Sequence, residues 1–353
     1  MKNMVRIKVI FVIICCCLVI FQGCKSDDLG GFPPKESKEY SFSMVSNDVI
    51  YDNNNYAAFT TLTEYKGTQY VAFREGPRHG AYSAEDFGAI RVLRNSNGRW
   101  ESCAYIKDPD KDLRDPCFVE VNGNLRIYLG YAAMEQGMVN FKGSAFVDLM
   151  DGHGDKIQTI KHDLPHIAWL WKVRKYDGKY YSVAYATEGG NPFLLTSEDG
   201  IDWKTITEFK IDDNNLSEAD ICFVDKTMYV CLRKDKPVND PSYWGVAEYP
   251  FTDFQWKKME SHIESPELIT LPYSNSLVLA GREITDNVAF VSLFRVSVDG
   301  KLSRIAALAG ENGGGTSKGY PSLLFADGKL FCSYYAAYNG NCVIFYSLFL
   351  NNL

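Results

Sequence analysis

The sequence predicts an all-β fold, a six-bladed β-propeller, and three observations support this prediction. After the first 23 residues no segment keeps a 3.6-residue apolar period for three turns, and short apolar runs rich in Tyr and Phe are frequent instead. One unit, an apolar strand, a turn and a second apolar strand, recurs six times and begins near residues 64, 119, 174, 222, 269 and 324. Successive copies are therefore 47 to 55 residues apart, a period that suits blades of four short strands.

Residues 1–23 are predicted to be a lipoprotein signal peptide. Three basic side chains precede an apolar run, residues 9–21, that is too short to span a bilayer. The run ends in FQGC (residues 21–24), which resembles a lipobox, the cleavage signal before a cysteine that receives lipid. Cys24 is therefore expected to be lipidated and to anchor the chain to a membrane. A simple signal peptide followed by a chance cysteine is the alternative.

Residues 24–39 are expected to be the lipidated cysteine and a flexible tether, because the segment is rich in Gly, Pro, Ser and charge. Its beginning, KSDD (residues 25–28), resembles the acidic signal that sends some bacterial lipoproteins to the outer surface. The expected location is therefore the outer membrane, with the domain facing outwards. Residues 40–353 contain no linker-like break and are expected to form one domain, the propeller, as a monomer.

Charge and cysteine content exclude several functions. Cleavage before Cys24 removes three positive charges and no negative ones, which changes the net charge from −7 to −10, so nucleic acid is not an expected partner. The six cysteines of the domain match no zinc pattern, and three histidines in residues 153–166 are irregularly spaced, so neither a metal nor another cofactor is expected. Buried free thiols are the main expectation; a bond between Cys222 and Cys231, which flank a hairpin-like turn, is the alternative.

A second kind of turn, SEDGIDW (residues 197–203), resembles the Asp-box, a hairpin turn that recurs on sialidase-type propellers. Degenerate copies occur at residues 96–100 and 297–300. In such a turn the Ser and Asp side chains bind the backbone, Gly permits a positive φ, and Trp fills the space between strands. We expect a structural role for Asp199, away from the substrate face.

From about residue 55 to the C-terminus, the polar residues that interrupt the apolar strands resemble, in their order, those of the bacterial exo-sialidase superfamily. The first copy ends in AFREGPRH (residues 72–79) and is followed by EDFG (residues 85–88). In that family a pattern like A-F-x-E-x-x-R precedes a loop aspartate that acts as general acid and base. The resemblance therefore implies this role for Asp86.

Later copies extend the resemblance. LSEA (residues 216–219) precedes the fourth copy, which ends at Arg233, and Arg282 ends the fifth copy. The sixth begins with GYPSL, which contains Tyr320. By resemblance, Tyr320 is the nucleophile, Glu218 is its base, and the two arginines bind a substrate carboxylate.

This set of residue types suits a keto-sugar acid, because the carboxylate on its anomeric carbon would repel the carboxylate nucleophile of most glycosidases. A tyrosine avoids that repulsion but needs a neighbouring base, since its usual pKa is about 10. Arginines bind a carboxylate bidentately. The alternatives are structural: Tyr320 as one more core aromatic, and Arg233 or Arg282 paired with acids such as Asp235 or Glu283.

The sequence also departs from the family, because the arginine that opens the first blade of sialidases is absent from YAAFT (residues 56–60). Arg74 is the candidate replacement, from the other end of the hairpin; otherwise the pocket holds a different sugar. LRDP (residues 113–116), with Arg74 and His79, resembles a less characterised sialidase-like branch. Arg114 and His79 therefore join Arg74 as candidate substrate-binding residues.

The function expected from the resemblance is that of an enzyme, an exo-acting glycoside hydrolase that removes a terminal acidic sugar from glycans at the cell surface. One alternative is a non-catalytic glycan-binding lipoprotein on the same fold. The other is a polysaccharide lyase in which Tyr320 or His79 abstracts a proton beside a uronic acid carboxylate. Trp169 and Trp171 could stack on a sugar or fill space between blades.

Overall fold

Six β-sheets form the blades of a propeller in the computed structural model of the chain, which confirms the predicted fold class. The structure describes residues 39–353 except 151, 152, 155, 187–189, 238, 239, 273, 275, 286, 287 and 309–316. The predicted signal peptide, Cys24 and nearly all of the tether lie outside the described residues. Within the described part, no helix is long and apolar enough to cross a membrane.

The blades are antiparallel meanders, apart from one short parallel pairing. Strand β1 (Phe42–Tyr51) belongs to the last of them. Blade 1 contains β2 (Tyr56–Tyr65), β3 (Thr68–Gly76), β4 (Ala89–Ser96) and β5 (Arg99–Ile106). Blade 2 contains β6 (Lys111–Val121), β7 (Asn124–Glu135) and β8 (Met138–Met150), with the short β9 (His153–Gly154) and β10 (Gln158–Thr159) paired to β8. Blade 3 contains β12 (Ala168–Tyr176), β13 (Lys179–Ala186), β14 (Phe193–Ser197) and β15 (Asp202–Glu208), with β11 (Lys161–His162) parallel to β15.

Blades 4 and 5 have the same four-stranded arrangement, and blade 6 closes the ring by pairing with the first strand of the domain. Blade 4 contains β16 (Leu216–Val224), β17 (Thr227–Lys234), β18 (Tyr243–Glu248) and β19 (Gln255–Lys258). Blade 5 contains β20 (Ile263–Thr270), β21 (Leu277–Thr285), β22 (Val288–Val296) and β23 (Leu302–Leu308). Blade 6 contains β24 (Lys318–Ala326), β25 (Lys329–Tyr338) and β26 (Asn341–Asn351), and β1 pairs with β26 as its outer strand.

The core consists of six apolar layers, each between two neighbouring blades. Between blades 1 and 2, for example, Ala72 and Ile90 pack against Leu113 and Ile127. Because a blade is covered on both faces, its inner strands are apolar along their whole length instead of alternating. This packing explains why the six copies are recognisable as near-continuous apolar runs.

The Asp-box turn joins β14 to β15 and has the expected side-chain contacts. Asp199 Oδ1 accepts hydrogen bonds from the backbone N–H groups of Ile201 and Asp202 at 2.8 and 2.9 Å. Ser197 Oγ accepts one from Gly200 N at 2.9 Å. The turn lies at the end of the blade opposite to the start of β12, since Ser197 pairs with residue 180 beside the β12–β13 turn.

The innermost strand of every blade contains a β-bulge near its first residues. The register shifts lie between Ala58 and Thr61, Arg114 and Cys117, Leu170 and Val173, Leu216 and Ala219, Glu264 and Glu267, and Gly319 and Ser322. In four of these bulges one residue has a positive φ: Phe59, Asp115, Ser265 and Tyr320. Bulges redirect side chains and are frequent beside active sites. A functional site is therefore expected at the end of the propeller where the innermost strands begin.

The six cysteines of the described domain have free thiols. Cys222 and Cys231 lie on the paired strands β16 and β17, but the residue opposite Cys222 is Tyr229, and the residue opposite Cys231 is Asp220. The alternative disulfide is therefore not formed, because the register does not place the two thiols across from each other.

Candidate active site

A cavity of about 370 Å³ lies at the end of the propeller where the innermost strands begin. Its wall combines strand starts and strand ends from blades 2, 3, 4 and 6, so residues distant in the sequence share one surface. Aromatic, acidic and basic side chains all contribute. The lining residues are Arg114, Asp115, Phe141, Trp169, Tyr185, Ala186, Asn215, Leu216, Ser217, Glu218, Asp235, Lys236 and Tyr320.

Tyr320 and Glu218 form a hydrogen-bonded pair in this wall. The phenol of Tyr320 donates to Glu218 Oε1 at 2.7 Å, within the distance that proton transfer to a base requires. Burial raises the pKa of Tyr320 well above its usual value, and the charges of Glu218 and Asp115 raise it further, while Arg233 and Arg282 lower it. Tyr320 is therefore a neutral phenol that would need Glu218 as its base to react as a nucleophile.

Arg233 and Arg282 lie behind this pair and are bound to carboxylates. Arg233 Nη1 donates to Glu218 Oε2 at 2.6 Å and Nη2 to Glu264 Oε1 at 3.1 Å. Arg282 donates to the other oxygen of Glu264 and, at 3.1 Å, to the carbonyl oxygen of Lys318. Neither arginine is part of the cavity lining. Their charges are largely balanced by acidic partners.

Glu264 was not predicted from the sequence, yet it joins the two arginines. Burial alone would raise its pKa, but a hydrogen bond from His262 and the charges of Arg282 and Arg233 outweigh burial and lower the pKa to about 2. The ionised Glu264 binds both guanidinium groups, and one of them, that of Arg233, also binds Glu218.

Arg114 reaches the cavity itself. Its guanidinium carbon lies 4.6 Å from the centre of the Phe59 ring, and its Nε donates to Asp115 Oδ2 at 3.3 Å. Its two terminal nitrogens donate to no residue within the described part of the chain. Arg114 therefore offers an accessible pair of donors beside Tyr320, the geometry that binds a carboxylate bidentately.

Asp115 follows Arg114 and also lines the cavity, although only 7% of its side chain is exposed. Its Oδ1 is buried and has no hydrogen-bond partner among the residues that the structure describes. Burial raises the pKa of Asp115, Arg114 lowers it, and Glu218 raises it again, to about 6. This carboxyl group is therefore harder to ionise than an exposed aspartate.

His79 lies beside the cavity among aromatic rings. Its ring centre is 4.9 Å from that of Phe59, and its Nδ1 is 3.2 Å from the hydroxyl of Tyr56. Burial lowers the pKa of His79 to about 3, and the charges of Arg114, Arg282 and, to a lesser extent, Arg74 add to the effect. His79 is thus a neutral imidazole that packs against the site.

Arg74 is not brought into the cavity. Its side chain is 0% exposed, and its Nε and Nη2 both donate to Asp112 Oδ1, at 3.0 and 2.7 Å. The remaining donors bind the carbonyl oxygens of Arg78 and Asp86 at 2.6 and 3.1 Å. All of its nitrogens are occupied within the protein, so in this structure Arg74 has no donor left for a substrate.

Asp86 is also absent from the cavity lining. It ends a 3-10 turn, Ala84–Asp86, in the loop between β3 and β4. Its Oδ1 lies 2.9 Å from Arg78 Nε, and its Oδ2 accepts the backbone N–H of Tyr82 at 3.1 Å. Both carboxylate oxygens therefore stabilise the loop in this structure.

The two tryptophans of β12 have different positions. Trp169 lines the cavity and packs edge-on against Phe141, with ring centres 4.9 Å apart. Trp171 packs against Tyr320, with ring centres 5.4 Å apart, and donates to the carbonyl of Pro266 at 3.4 Å. Trp169 therefore forms part of the cavity wall, and Trp171 packs against Tyr320.

The structure thus brings together Tyr320, Glu218, Arg233, Arg282 and Arg114 and leaves Arg74 and Asp86 outside the cavity wall. Sequence reasoning assigned no role to three residues of the wall and its support: Asp115, which it named only within the LRDP motif, Tyr185 and Glu264. One signal could have found the first. In three innermost strands the bulge near the start contains a residue followed by Pro, at Asp115-Pro116, Ser265-Pro266 and Tyr320-Pro321, which marks equivalent positions.

Among the described residues, no group of three or more His, Cys, Asp or Glu side chains is placed to hold a metal ion.

No family model and no curated protein matches this sequence. Solved structures do match. A Hadza microbial sialidase, Hz136, superposes with a TM-score of 0.62 at 13% identity over 83% of this chain and 65% of its own. Trypanosoma rangeli sialidase in complex with sialic acid gives 0.59 at 11% identity over 88% and 59%. This chain therefore spans less than two thirds of the length of these two sialidases.

A third match is the alpha-L-arabinofuranosidase arb93a of Fusarium graminearum, solved as a point mutant in complex with an iminosugar inhibitor. It gives a TM-score of 0.60 at 13% identity over 86% of this chain and 97% of its own. At these identities the matches show the fold. The chain has the six-bladed propeller that sialidases share with this arabinofuranosidase.

Proposed function

We propose that this chain is an exo-acting glycoside hydrolase that removes a terminal acidic sugar from glycans, with Tyr320 as nucleophile and Glu218 as its base. The observation that carries the proposal is the 2.7 Å hydrogen bond from the Tyr320 phenol to Glu218 in the wall of the cavity. A structural tyrosine would not need a buried carboxylate as its partner, since that carboxylate costs free energy to bury. The shared fold with glycosidases supports the class of reaction.

In the proposed reaction Glu218 accepts the phenolic proton while the Tyr320 oxygen forms a bond to the anomeric carbon. Arg233 and the backbone N–H of Ser265, which donate to Glu218 Oε2 at 2.6 and 2.7 Å, fix the carboxylate so that Oε1 faces the phenol. A covalent sugar on tyrosine then reacts with water. The cavity volume of about 370 Å³ is near the lower end of ligand sites, which suits one terminal sugar.

Arg114 is the proposed partner of the substrate carboxylate. It lines the cavity and its terminal nitrogens have no partner among the described residues, whereas Arg233 and Arg282 are already bound to carboxylates. This assignment places the anion-binding arginine on blade 2 and differs from the role that the family resemblance gives to the two later arginines.

The test is product analysis with sialyllactose and with uronic acid-terminated and arabinose-terminated oligosaccharides. We expect release of a single terminal acidic sugar, without an unsaturated product. Tyr320→Phe should lower kcat by a factor of about 10³ or more, because the nucleophile is removed. The free energy of unfolding, measured as a control, should fall by no more than about 1–3 kcal/mol, the cost of leaving one oxygen of the buried Glu218 without its donor. Full activity of Tyr320→Phe would refute the mechanism.

A glycan-binding protein without catalysis is the second candidate. It is favoured by the occupied donors of Arg233 and Arg282 and by the position of Asp86 outside the cavity wall. In that case the wild-type protein would bind an acidic oligosaccharide in calorimetry and return it intact after long incubation, and Arg114→Leu would abolish the binding heat.

We further propose that the enzyme acts at the outer surface of the outer membrane, held by lipid on Cys24. The support is the signal-like apolar run followed by Gly23 and Cys24 in the sequence. Cys24→Ala should move the protein from the membrane fraction to the soluble fraction, and protease added to intact cells should degrade the wild type. Unchanged fractionation of the variant would refute the anchor.

A further inference from the structure

We infer that Ser265 is a positioning residue that holds the proposed nucleophile and its base against each other, an inference that rests on the proposed function. Ser265 binds both partners. Its backbone N–H donates to Glu218 Oε2 at 2.7 Å, and its Oγ accepts the backbone N–H of Tyr320 at 3.2 Å. The phenol of Tyr320 donates to the other oxygen of Glu218 at 2.7 Å. Three hydrogen bonds therefore join residues of blades 4, 5 and 6 in a closed ring.

The bulges of two innermost strands supply the backbone donors of this ring. In β20 and β24 the register with the next strand skips Ser265 and Tyr320, and the N–H of each binds outside the strand pair. The residues that follow, Pro266 and Pro321, have no N–H. A buried N–H that leaves a strand pair needs another acceptor. For Ser265 that acceptor is Glu218, and for Tyr320 it is the hydroxyl of Ser265.

Ser265 supports the site from behind the cavity wall. It is 1% exposed and is not among the lining residues, so it does not contact the ligand space. Its φ of +47° is unfavourable for a serine, and such conformations occur preferentially at functional sites. The preceding residue, Glu264, binds Arg233 and Arg282, and Arg233 also binds Glu218. The start of β20 therefore holds both the proposed base and the cations around it.

The backbone of Tyr320 is bound from both neighbouring blades. Its N–H donates to Ser265 of blade 5, and its carbonyl oxygen accepts from Thr60 Oγ1 of blade 1 at 2.8 Å. The ring packs against Phe59 and Trp171, with ring centres 4.6 and 5.4 Å apart. Loss of the Ser265 hydroxyl removes one of the two backbone bonds. A displacement of about 1 Å between reacting groups can lower a rate about 100-fold.

The experiment compares Ser265→Ala with a matched control, Ser322→Ala, in the full-length protein. Ser322 is also a 1% exposed serine at an innermost-strand bulge. Its Oγ accepts the backbone N–H of Leu62 at 2.9 Å and donates to Glu267 at 3.2 Å. Each change leaves one buried N–H without its acceptor, and the control loses a further bond. The urea midpoint should therefore fall at least as far in Ser322→Ala, while only Ser265→Ala releases the N–H of Tyr320.

Turnover is measured on sialyllactose and on a uronic acid-terminated oligosaccharide, and the one that the wild type cleaves faster serves for all variants. We expect Ser265→Ala to lower kcat about 10- to 100-fold with KM within about twofold, because the reacting pair is displaced and the ligand wall is kept. Ser322→Ala should keep kcat within about threefold. Ser265→Cys should have a higher kcat than Ser265→Ala, since a thiol can accept a backbone N–H, as Cys117 Sγ does from Val173 at 3.5 Å.

A crystal structure of Ser265→Ala gives a readout that needs no substrate: the distance from the Tyr320 hydroxyl to Glu218 Oε1 should exceed about 3.2 Å. The role of Ser265 is overturned, with the proposed function intact, by any of three results. These are a kcat loss no greater than that of Ser322→Ala, a Ser265→Cys variant no better than Ser265→Ala, or a pair that stays at 2.7 Å. If the wild type releases no acidic sugar from either substrate, or if Tyr320→Phe keeps full activity, the proposed function fails and the inference fails with it.

Discussion

Arginines 74 and 114 have the same side chain in opposite environments. Arg74 is fully buried and pairs with Asp112, which is itself 1% exposed and also accepts the backbone N–H of Gly88 at 2.7 Å. Arg114 keeps its terminal nitrogens for the cavity. The first arginine therefore contributes to folding, and the second is suited to bind substrate.

Arg74→Met should destabilise the protein by about 3–5 kcal/mol, because it leaves Asp112 buried without its cation. The urea midpoint should fall accordingly. Arg114→Lys is the matched variant: it keeps a charge but loses the bidentate fork, so the urea midpoint should stay close to that of the wild type and KM should rise about tenfold. Methyl esterification of the substrate carboxylate should raise KM more for the wild type than for Arg114→Lys, because the lysine keeps the charge attraction but not the bidentate hydrogen bonds. Equal midpoints for Arg74→Met and the wild type would contradict the structural role.

His79 predicts a pH dependence of stability. Its folded-state pKa is about 3, against 6.5 for the ordinary group, with burial and neighbouring arginine charges as the causes. Between these two pH values the unfolded chain binds a proton that the folded chain does not bind. The stabilisation is therefore fully present above about pH 6.5 and is lost as the pH falls towards 3.

In His79→Gln this titration is absent, so the urea midpoint should fall less steeply between pH 6.5 and 4 than in the wild type. Tyr56→Phe is the control, because it removes the hydroxyl near Nδ1 and keeps the imidazole, so the wild-type slope should persist. Parallel slopes for the wild type and His79→Gln would contradict the depressed pKa.

For single residues, the sequence predicts which residues belong to the site better than it predicts the contacts that each of them makes. The family resemblance pairs Tyr320 with Glu218, and the Tyr320 hydroxyl and Glu218 Oε1 are 2.7 Å apart. An equally local pattern selects Arg74 and Asp86, yet their partners are Asp112 and Arg78, residues whose contacts depend on how the loop between β3 and β4 folds back.

Two turns of blade 3 each contain a glycine with a positive φ, but the space around the two glycines differs. Substitution of each glycine by alanine can therefore separate backbone strain from steric conflict. Gly200 of the Asp-box has a φ of +71°, and a Cβ there would lie 2.2 Å from the hydroxyl of Tyr128. Gly178 of the β12–β13 turn has a φ of +77° and nothing within 4 Å of its Cβ position. Backbone strain is therefore common to both positions, and steric conflict is confined to Gly200.

Gly178→Ala should cost about 1–2 kcal/mol, the penalty of a left-handed conformation. Gly200→Ala should cost about 1–3 kcal/mol more, because Tyr128 is buried and its hydroxyl is bonded to the Gly200 carbonyl at 2.8 Å, so it cannot move aside freely. Chemical denaturation of both variants measures the difference. Activity should be unchanged in each, since both turns lie at the end opposite the cavity. Equal losses would show that the turn accommodates a methyl group.

Strands and turns were predictable because their signals are local: apolar runs give the inner strands, and Gly with Ser or Asp gives the turns. The six bulges were not predicted. Each lies near the start of an innermost strand, and only Asp115, Ser265 and Tyr320, each followed by Pro, are marked by a shared sequence feature. These bulges determine the direction of the side chains at the site. Because the bulges were not predicted, the detailed geometry of the site was not predicted either.

The ring is closed by pairing the two ends of the domain, a feature that the period of the repeat does not predict. Six copies fix the number of blades, but the outer strand of blade 6 is β1, which precedes the first copy. It pairs with β26 from Phe42 opposite Asn351 to Tyr51 opposite Ile344. Without β1 the last strand would be an open edge, and the blade would have only three of its strands.

Deletion of residues 40–52 should therefore unfold blade 6 or make the protein aggregate, because the edge of β26 would be free to pair with other chains. The same residues joined after Leu353 through a short Gly-containing turn should restore the fold. The register supports this design, since Phe42 lies opposite Asn351 and Asn352 N donates to the Ser41 carbonyl at 2.8 Å, so a hairpin from β26 would enter the β1 position in the native direction. The measurements are the soluble yield and urea midpoint of the deletion, the permuted chain and the wild type. If the deletion variant were as stable as the wild type, the pairing of β1 would not be needed to close the ring. If the permuted chain had the same low yield and urea midpoint as the deletion variant, β1 would act through its link to blade 1 and not through its pairing with β26.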